Sequence, residues 1–336
     1  MHSELINIDK FTTMQLPAMA NVFHIKNTNE IIDFYKNLKP SENPFILGGG
    51  SNLIIAPTIT NRPILKIEIL GIQILENNND QVLVKLGAGE NWDSVVEWAV
   101  NNNYSGIEAL SAIPGTVGAT PVQNVGAYGS EIKDVFVSLN AYDTKNKNIV
   151  TLNKEQCNFS YRNSIFKSTE KGRYIIIDVT LMLSKNNPKV PEYKGVQEYF
   201  DLANNLNPNL SDIRNAIIEI RWSKLPNPET LPNCGSFFEN PIIENKVAED
   251  LKIKYPNIPV YPYGDKIKVS AGYLIDQSGL KGIDFGKVGV YEKNALVLVN
   301  RGGGTYDDLV KIKDIIIKTV YDKFGITLSP EPEFVN

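Results

Sequence analysis

SAIPGTVGATPVQNVGAYGSE, residues 111–131, is the stretch on which the fold turns. It holds Gly115, Gly118, Gly126 and Gly129, with Gly106 just ahead of it, among small apolar residues. From Gly106 to Glu131 the only acids are Glu108 and Glu131, and there is no lysine. Glycine lets backbone approach a ligand closely and adopt positive φ. A segment this bare of side chains suits a large flat cofactor and its phosphates. A second glycine run, Leu47-Gly48-Gly49-Gly50-Ser51-Asn52-Leu53, lies upstream. Two such loops in one chain point to one dinucleotide held from two sides. The plainer alternatives, a packed surface loop and a tight β-turn, stay open for each loop taken alone.

The upstream run is not a Rossmann fingerprint, because a strand (Leu53–Ile55) follows it, and it is not a P-loop, because no Gly-Lys-Ser/Thr follows. Its backbone amides can still form an anion nest, with the Ser51 hydroxyl and the Asn52 amide as further donors.

With 336 residues the chain is long enough for two or three domains. Its 42% hydrophobic and 21% charged content is ordinary for a globular protein. No apolar run approaches the ~20 residues of a membrane span. MHSELINIDKF lacks the basic start and apolar core of a signal peptide. Cys157 and Cys234 have no metal-binding spacing, and the histidines are His2 and His24 alone. The expectation is a reduced, cytoplasmic protein without a metal site. A net charge of −4 and the lack of a basic run argue against nucleic acid as a partner.

The pattern of elements is mixed. Thr28 or Asn29 is placed to cap a helix carrying Ile31, Ile32, Tyr35 and Leu38. Short strands are expected at 45–47, 53–55, 64–67 and 82–86, then a helix with Trp92, Val95, Val96 and Ala99 on one face. Val135, Val137, Leu139 and Ala141 alternate as in a half-buried strand, and 174–183 is a β-branched run. Residues 184–210, rich in Asn and Pro, read as an inserted loop. A short helix at 212–221 follows, and the prolines of 225–232 mark a domain crossing. In the last helix Thr305 and Asp308 form a capping-box-like pair, Leu309, Ile312, Ile316 and Val320 share a face, and Gly325 stops it.

Among single residues, Arg162 beside Tyr161 is suited to a two-pronged grip on a carboxylate or phosphate. Ser236, in Cys234-Gly235-Ser236-Phe237-Phe238, has no histidine nearby to make it a triad nucleophile. Such a serine can instead donate a proton or a hydrogen bond, or simply occupy a turn.

LGGGSNL (47–53), IPGTVGATPVQNVGAYG (113–129), YRNSIFK (161–167), RWSKLPNP (221–228), GSFFENP (235–241), SAGYLIDQSGLKG (270–282), NALVLVN (294–300) and EPEF (331–334) together resemble the UDP-N-acetylenolpyruvoylglucosamine reductase family. They occur in family order and span nearly the whole chain. The resemblance implies an α+β fold: a two-part FAD-binding region of the PCMH, or vanillyl-alcohol-oxidase, type and a smaller α+β domain for the substrate. The expected division is 1–67 and 68–222 for FAD, with 327–336 returning to the second part, and 223–326 for the UDP-sugar. It also implies non-covalent FAD, NADPH as hydride donor, and reduction of an enolpyruvyl group to a lactyl ether. The product implied by the resemblance is UDP-N-acetylmuramate. A monomer is expected, with no nucleic acid or membrane partner.

By the same resemblance, Arg162 matches the arginine that binds and polarises the substrate carboxylate. Ser236 matches the serine that protonates the enol-like intermediate, and Glu333 the catalytic glutamate. Gly48, Gly49, Gly50, Ser51, Asn52, Leu53, Ser111, Ile113, Pro114, Gly115, Gly118, Ala119, Asn124, Gly126, Ala127, Tyr161 and Arg221 match the cofactor-binding positions. Lys224, Asn240, Lys281 and Asn294 match those that hold the UDP moiety. Tyr193 matches a tyrosine that, in one subclass, folds over the diphosphate. Val335 stands where some members carry an arginine near the flavin. Because the chain is acidic overall, the two lysines are needed to attract phosphates locally. The residues alone leave two rivals: an oxidase of the same fold, disfavoured because neither glycine loop holds a histidine for covalent FAD, and an inactive flavin- or nucleotide-sugar-binding protein.

Overall fold

The computed structural model describes residues 3–57, 62–186 and 188–335; His2 lies outside them. The chain divides into two compact units: 1–6, 20–49 and 60–221 form one, and 7–19, 50–59 and 222–336 the other.

Among the described residues the first unit holds a four-stranded sheet, a five-stranded sheet, a two-stranded hairpin and five α-helices. One sheet has the order Glu4–Asn7, Met19–Ile25, Ile64–Ile67, Phe45–Leu47. Ile64–Ile67 runs parallel to both of its neighbours, which brings Phe45–Leu47 to its end at the first glycine run. The other sheet is antiparallel, with the order Asn148–Asn153, Phe136–Asp143, Tyr174–Ser184, Gln81–Gly87, Ile72–Asn77. Helices α1 (Thr28–Asn37) and α2 (Trp92–Asn101) bury Ile31, Phe34, Trp92, Val95, Val96 and Ala99 in one core with Leu65, Val84 and Val179. The α1 cap is Asn27, one residue ahead of the expected pair, accepting from Glu30 N at 3.1 Å. α3 (Lys154–Cys157) is a single turn that buries Cys157.

The alternation over 135–141 is broken: Val137 is exposed while Phe136, Leu139 and Ala141 are buried. A register shift between Phe136 and Ser138 moves the inward face by one residue. The segment 184–210 is not all loop. It holds α4 (Lys194–Leu202), whose Val196 and Phe200 lie four residues apart and bury against Ile213, Ile217 and Ile220 of α5 (Leu210–Lys224).

The second unit has a three-stranded sheet, Asn233–Ser236, Val297–Asn300, Val288–Val290, and a second one of Ile242–Ile243, Lys266–Val269 and Val260–Tyr263. α6 (Asn245–Lys254), α7 (Ala271–Gln277) and α8 (Tyr306–Phe324) complete it. α8 is capped as expected: Thr305 Oγ1 accepts from Asp308 N, the Asp308 carboxylate accepts from Thr305 N, and Gly325 ends it at φ +68. Leu309, Ile312, Ile316 and Val320 bury against Phe237, Leu274 and Leu298. The tail does not rejoin the second section. Glu333–Val335 pairs in parallel with Leu53–Ile55, and Val335 is buried.

Candidate active site

In the first unit the two glycine turns lie against each other. A Cβ built on Gly49 would stand 2.5 Å from Gly115 Cα, and one on Gly48 2.6 Å from Thr116 Oγ1. No other residue type allows this approach. Thr116 is buried, and among the described residues its Oγ1 has no hydrogen-bond partner. A buried hydroxyl left without a partner is costly, and a ligand oxygen relieves the cost. Lys66, beside this turn, donates from Nζ to Gly48 O, and burial lowers its pKa against the opposing pull of Glu68. These features fit FAD phosphates.

The rest of the second loop is pinned from outside. Trp92 Nε1 donates to Leu110 O at 3.0 Å, and Trp92 N to Gly115 O at 3.1 Å. Ser111 Oγ donates to Glu108 O. Ile113 and Pro114 bridge to Gly115. Gly118 serves packing: its N–H donates to Ala88 O, and a Cβ there would meet Ala88 Cβ at 2.7 Å. Ala119 N closes a tight turn on Thr116 O. Gly126–Ala127 forms a two-residue hairpin with Ser130–Glu131.

Asn124 is the hub of this half. It is fully buried at φ +46. Its Nδ2 donates to Glu131 Oε2 (2.9 Å) and Ser160 O (3.1 Å), and its Oδ1 accepts from Lys133 N (3.2 Å). With its side chain so committed, Asn124 pins the Ser160 turn to the Glu131–Lys133 segment. Ser160 and Asn163 exchange backbone bonds in both directions, which leaves Tyr161 and Arg162 at the tip of a tight turn. Arg162 sits at φ +52, an unusual angle for arginine. Ser164 Oγ holds the turn to Val122 O (2.6 Å), Arg162 Nη1 donates to Gly126 O (2.7 Å), and Lys167 Nζ donates to Arg162 O (3.3 Å).

Arg221, on α5, is half-buried with its Nε enclosed. Desolvation lowers its pKa, Tyr128 and Asp93 pull it upward, and Arg162 adds like-charge repulsion. Two such guanidinium groups favour an anion beside them. Tyr193 is the N-cap residue of α4, and its ring meets Tyr128 edge-on at 5.3 Å. Tyr128 is a residue the sequence reading passed over. It stands at φ +51, and burial raises its pKa. The signal was available: it is the one aromatic side chain in 111–131.

The second unit gathers the other candidates. Ser236 ends the strand Asn233–Ser236, directly after Gly235 at φ +74. Asn233 Oδ1 fixes that bend by accepting from Gly235 N (2.9 Å). Phe237 and Phe238 are buried just beyond. The tail runs alongside: Glu331 N donates to Phe237 O (2.9 Å), Asn52 Nδ2 donates to Glu331 O (3.3 Å), and Glu333 N donates to Asn52 O (2.9 Å). The structure thus brings Ser236, Asn52 and Glu333 into one neighbourhood. Ser51 O accepts from Thr13 Oγ1, and Leu53 opens the strand paired to the tail. Asn294 Oδ1 accepts from Leu296 N, and Leu296 O accepts from Phe237 N, which ties Asn294 to Ser236. Asn240 Oδ1 accepts from Ala271 N at the start of α7, so its amide nitrogen points elsewhere. Lys281 lies 3.7 Å from Asp276. Lys224 is the last residue of α5. Cys234 is buried beside Glu331, and burial pushes its thiol up to about 12.

Comparison with known proteins agrees with this layout. Residues 227–335 match the model for the C-terminal domain of UDP-N-acetylenolpyruvoylglucosamine reductase, and residues 19–153 match an FAD binding domain. The chain is 40% identical to the UDP-N-acetylenolpyruvoylglucosamine reductase of Flavobacterium johnsoniae over 327 residues, 97% of each chain. It is 43% identical to that of Amoebophilus asiaticus over 335 residues, covering 99% of this chain and 98% of the relative. A crystal structure of UDP-N-acetylenolpyruvylglucosamine reductase from Thermus caldophilus shares the fold with a TM-score of 0.70 at 19% identity, covering 100% of both chains. Among the described residues no helix is long and apolar enough to cross a membrane, and no cluster of His, Cys, Asp and Glu suits a metal ion.

Proposed function

The chain belongs to the UDP-N-acetylenolpyruvoylglucosamine reductase family, and on that premise we propose how its residues divide the work. The reaction is the NADPH-dependent reduction of UDP-N-acetyl-3-O-(1-carboxyvinyl)glucosamine to UDP-N-acetylmuramate, a step in making peptidoglycan precursors. Bound FAD would supply hydride transfer between NADPH and the enolpyruvyl group. The FAD-binding part lies chiefly in 20–49 and 60–221, and the UDP-sugar part in 222–336. Thr116 Oγ1 and the backbone of the paired glycine turns would hold the cofactor phosphates.

Hydride addition at the terminal carbon of the vinyl group puts negative charge on the carbon beside the carboxylate and on the carboxylate itself. Arg162 binds that carboxylate and stabilises the charge, and the turn pinned by Asn124 and Ser164 keeps it from reorganising during the reaction. Ser236 then gives its hydroxyl proton to the carbon. A serine hydroxyl is a weak acid, but a carbanion is a stronger base than an alkoxide, so no histidine is needed. Glu333 acts near the carboxylate. Lys224, Asn240, Lys281 and Asn294 hold the UDP moiety, and Tyr193 covers the diphosphate. NADPH and the sugar would each need access to one bound flavin, so ping-pong kinetics are expected. The protein works as a cytoplasmic monomer without nucleic acid.

The observation that carries this reading is the pair of mutually packed glycine turns with the buried Thr116 hydroxyl between them. The test is an NADPH oxidation assay on purified, FAD-loaded protein. Oxidation that depends on the UDP-enolpyruvyl sugar is expected. A yellow protein that ignores that sugar but oxidises an alcohol would support the oxidase instead.

A further inference from the structure

α2 already has its cap. Asn91 Oδ1 accepts from Ser94 N at 3.0 Å, so the first-turn acid Asp93 is not needed for that purpose. The Asp93 carboxylate turns outward and takes three donors. Ala112 N reaches Oδ1 at 2.6 Å, Arg214 Nη1 reaches Oδ1 at 2.6 Å, and Arg214 Nη2 reaches Oδ2 at 2.9 Å. Arg214 is buried on α5, and its planar fork fixes the carboxylate orientation. Burial alone would raise the Asp93 pKa, but the bonds from Arg214 and Ala112, with Arg214 and Arg221 close by, bring it below the usual carboxylate range.

Ala112 is where this matters. It holds φ +57, a left-handed angle that alanine avoids. Pro114 favours extended backbone at Ile113, so the reversal of the loop falls on Ala112. If Ala112 relaxed to an ordinary angle, Ile113–Gly115 would swing. Gly115 Cα already stands where Gly49 has no room to yield.

We propose that Asp93, locked by Arg214, is a positioning residue that holds Ala112 in its left-handed state and so keeps the 110–115 loop in shape to receive FAD. The proposal rests on the cofactor reading above. It joins the cofactor loop to α5, which also carries Arg221 and packs on the helix that begins after Tyr193.

The test uses two variants with and without Ala112→Gly. The double variant Asp93→Leu/Arg214→Met replaces the ion pair with apolar groups of similar size, a change that folded proteins commonly tolerate. Asp93→Asn keeps an acceptor for Ala112 N while removing the charge. In the double variant the Kd for FAD, read by fluorescence titration of the apoprotein, should rise about tenfold or more, while the apoprotein melts close to wild type. Asp93→Asn should weaken FAD binding less. Ala112→Gly added to the double variant should recover most of the affinity, because glycine adopts this angle freely. In the apoprotein, the Ala112 amide of the double variant should exchange its hydrogen at least about tenfold faster than in wild type. Wild-type FAD affinity in the double variant, no recovery with Ala112→Gly, or unchanged amide protection would each overturn the proposal. Failure of wild-type apoprotein to take up FAD would sink the cofactor reading instead, and the amide exchange would still decide the tether.

Discussion

Arg162 and Ser236 are both presented on tight bends, but the two units hold them by opposite means. The Arg162 turn is secured by polar pins: Asn124 on Ser160 O, Ser164 on Val122 O, and the guanidinium on Gly126 O. Its backbone is strained. All the described non-glycine residues with positive φ except Gln15 lie in this unit, Ala112, Asn124, Tyr128 and Arg162 among them. Ser236 needs one glycine bend and then rests on apolar burial, with Phe237 and Phe238 below it and the aliphatic face of α8 beyond. The first unit, where we place the cofactor, holds strained backbone at its turns. The second only has to aim side chains, which regular strands do without strain.

Substitutions should expose this contrast. Phe237→Ala should cost the second unit about 4 kcal/mol through the cavity left in a fully buried site. Its FAD affinity should hold, as flavin titration and thermal melting together would show; loss of FAD in step with stability would break the distinction. Arg162→Met should lower kcat/KM for the enolpyruvyl substrate about 10²–10³-fold, with melting temperature nearly unchanged and NADPH oxidation by the bound flavin intact. Asn124→Ala should cost about 2 kcal/mol, since it empties a fully buried site and removes the bonds to Ser160 O, Glu131 Oε2 and Lys133 N. It should also lower turnover, because the Arg162 turn loosens. If Asn124→Ala changed stability alone, the pins would be scaffolding with no bearing on the reaction.

A smaller effect concerns acid. Arg173 grips Asp143 at 3.0 and 2.7 Å and holds its carboxyl at about 2. The unfolded value is about 3.9. A depressed folded pKa adds stability above the unfolded value, and that stability is lost as pH falls toward the folded one. Denaturant titration between about pH 4 and pH 2 should show the first unit weakening. Asp143→Asn should be less stable near neutrality and flatter across that window. An unchanged acid slope would remove Asp143 from the account.

Much of the fold was legible because its signals are local. The Thr305–Asp308 cap, the Gly325 stop and the strand expected at 174–183, found at Tyr174–Ser184, are each read within a few residues of chain. The glycine loops could be proposed as ligand-binding segments for the same reason. α4 was not, because Val196 and Phe200 become an apolar stripe only when α5 supplies their partners. The strand Met19–Ile25 was passed over although Ala20 and Val22 alternate inward. The bulge near Phe136 depends on the neighbouring strand, which no local pattern reports. Asp93 and Arg214 stand 121 residues apart, and each alone is an ordinary charged residue on a helix. Asn124 could be read as a ligand from its motif, but not as the hub its three bonds make it.

The central claim is that the proton for the substrate carbon comes from Ser236, separately from the delivery of hydride. Stopped-flow absorbance of the flavin in Ser236→Ala measures both halves. NADPH should bleach the flavin at the wild-type rate, and reoxidation by the UDP-enolpyruvyl sugar should slow about 10²–10⁴-fold. Equal loss of both halves, or reoxidation at the wild-type rate, would contradict it.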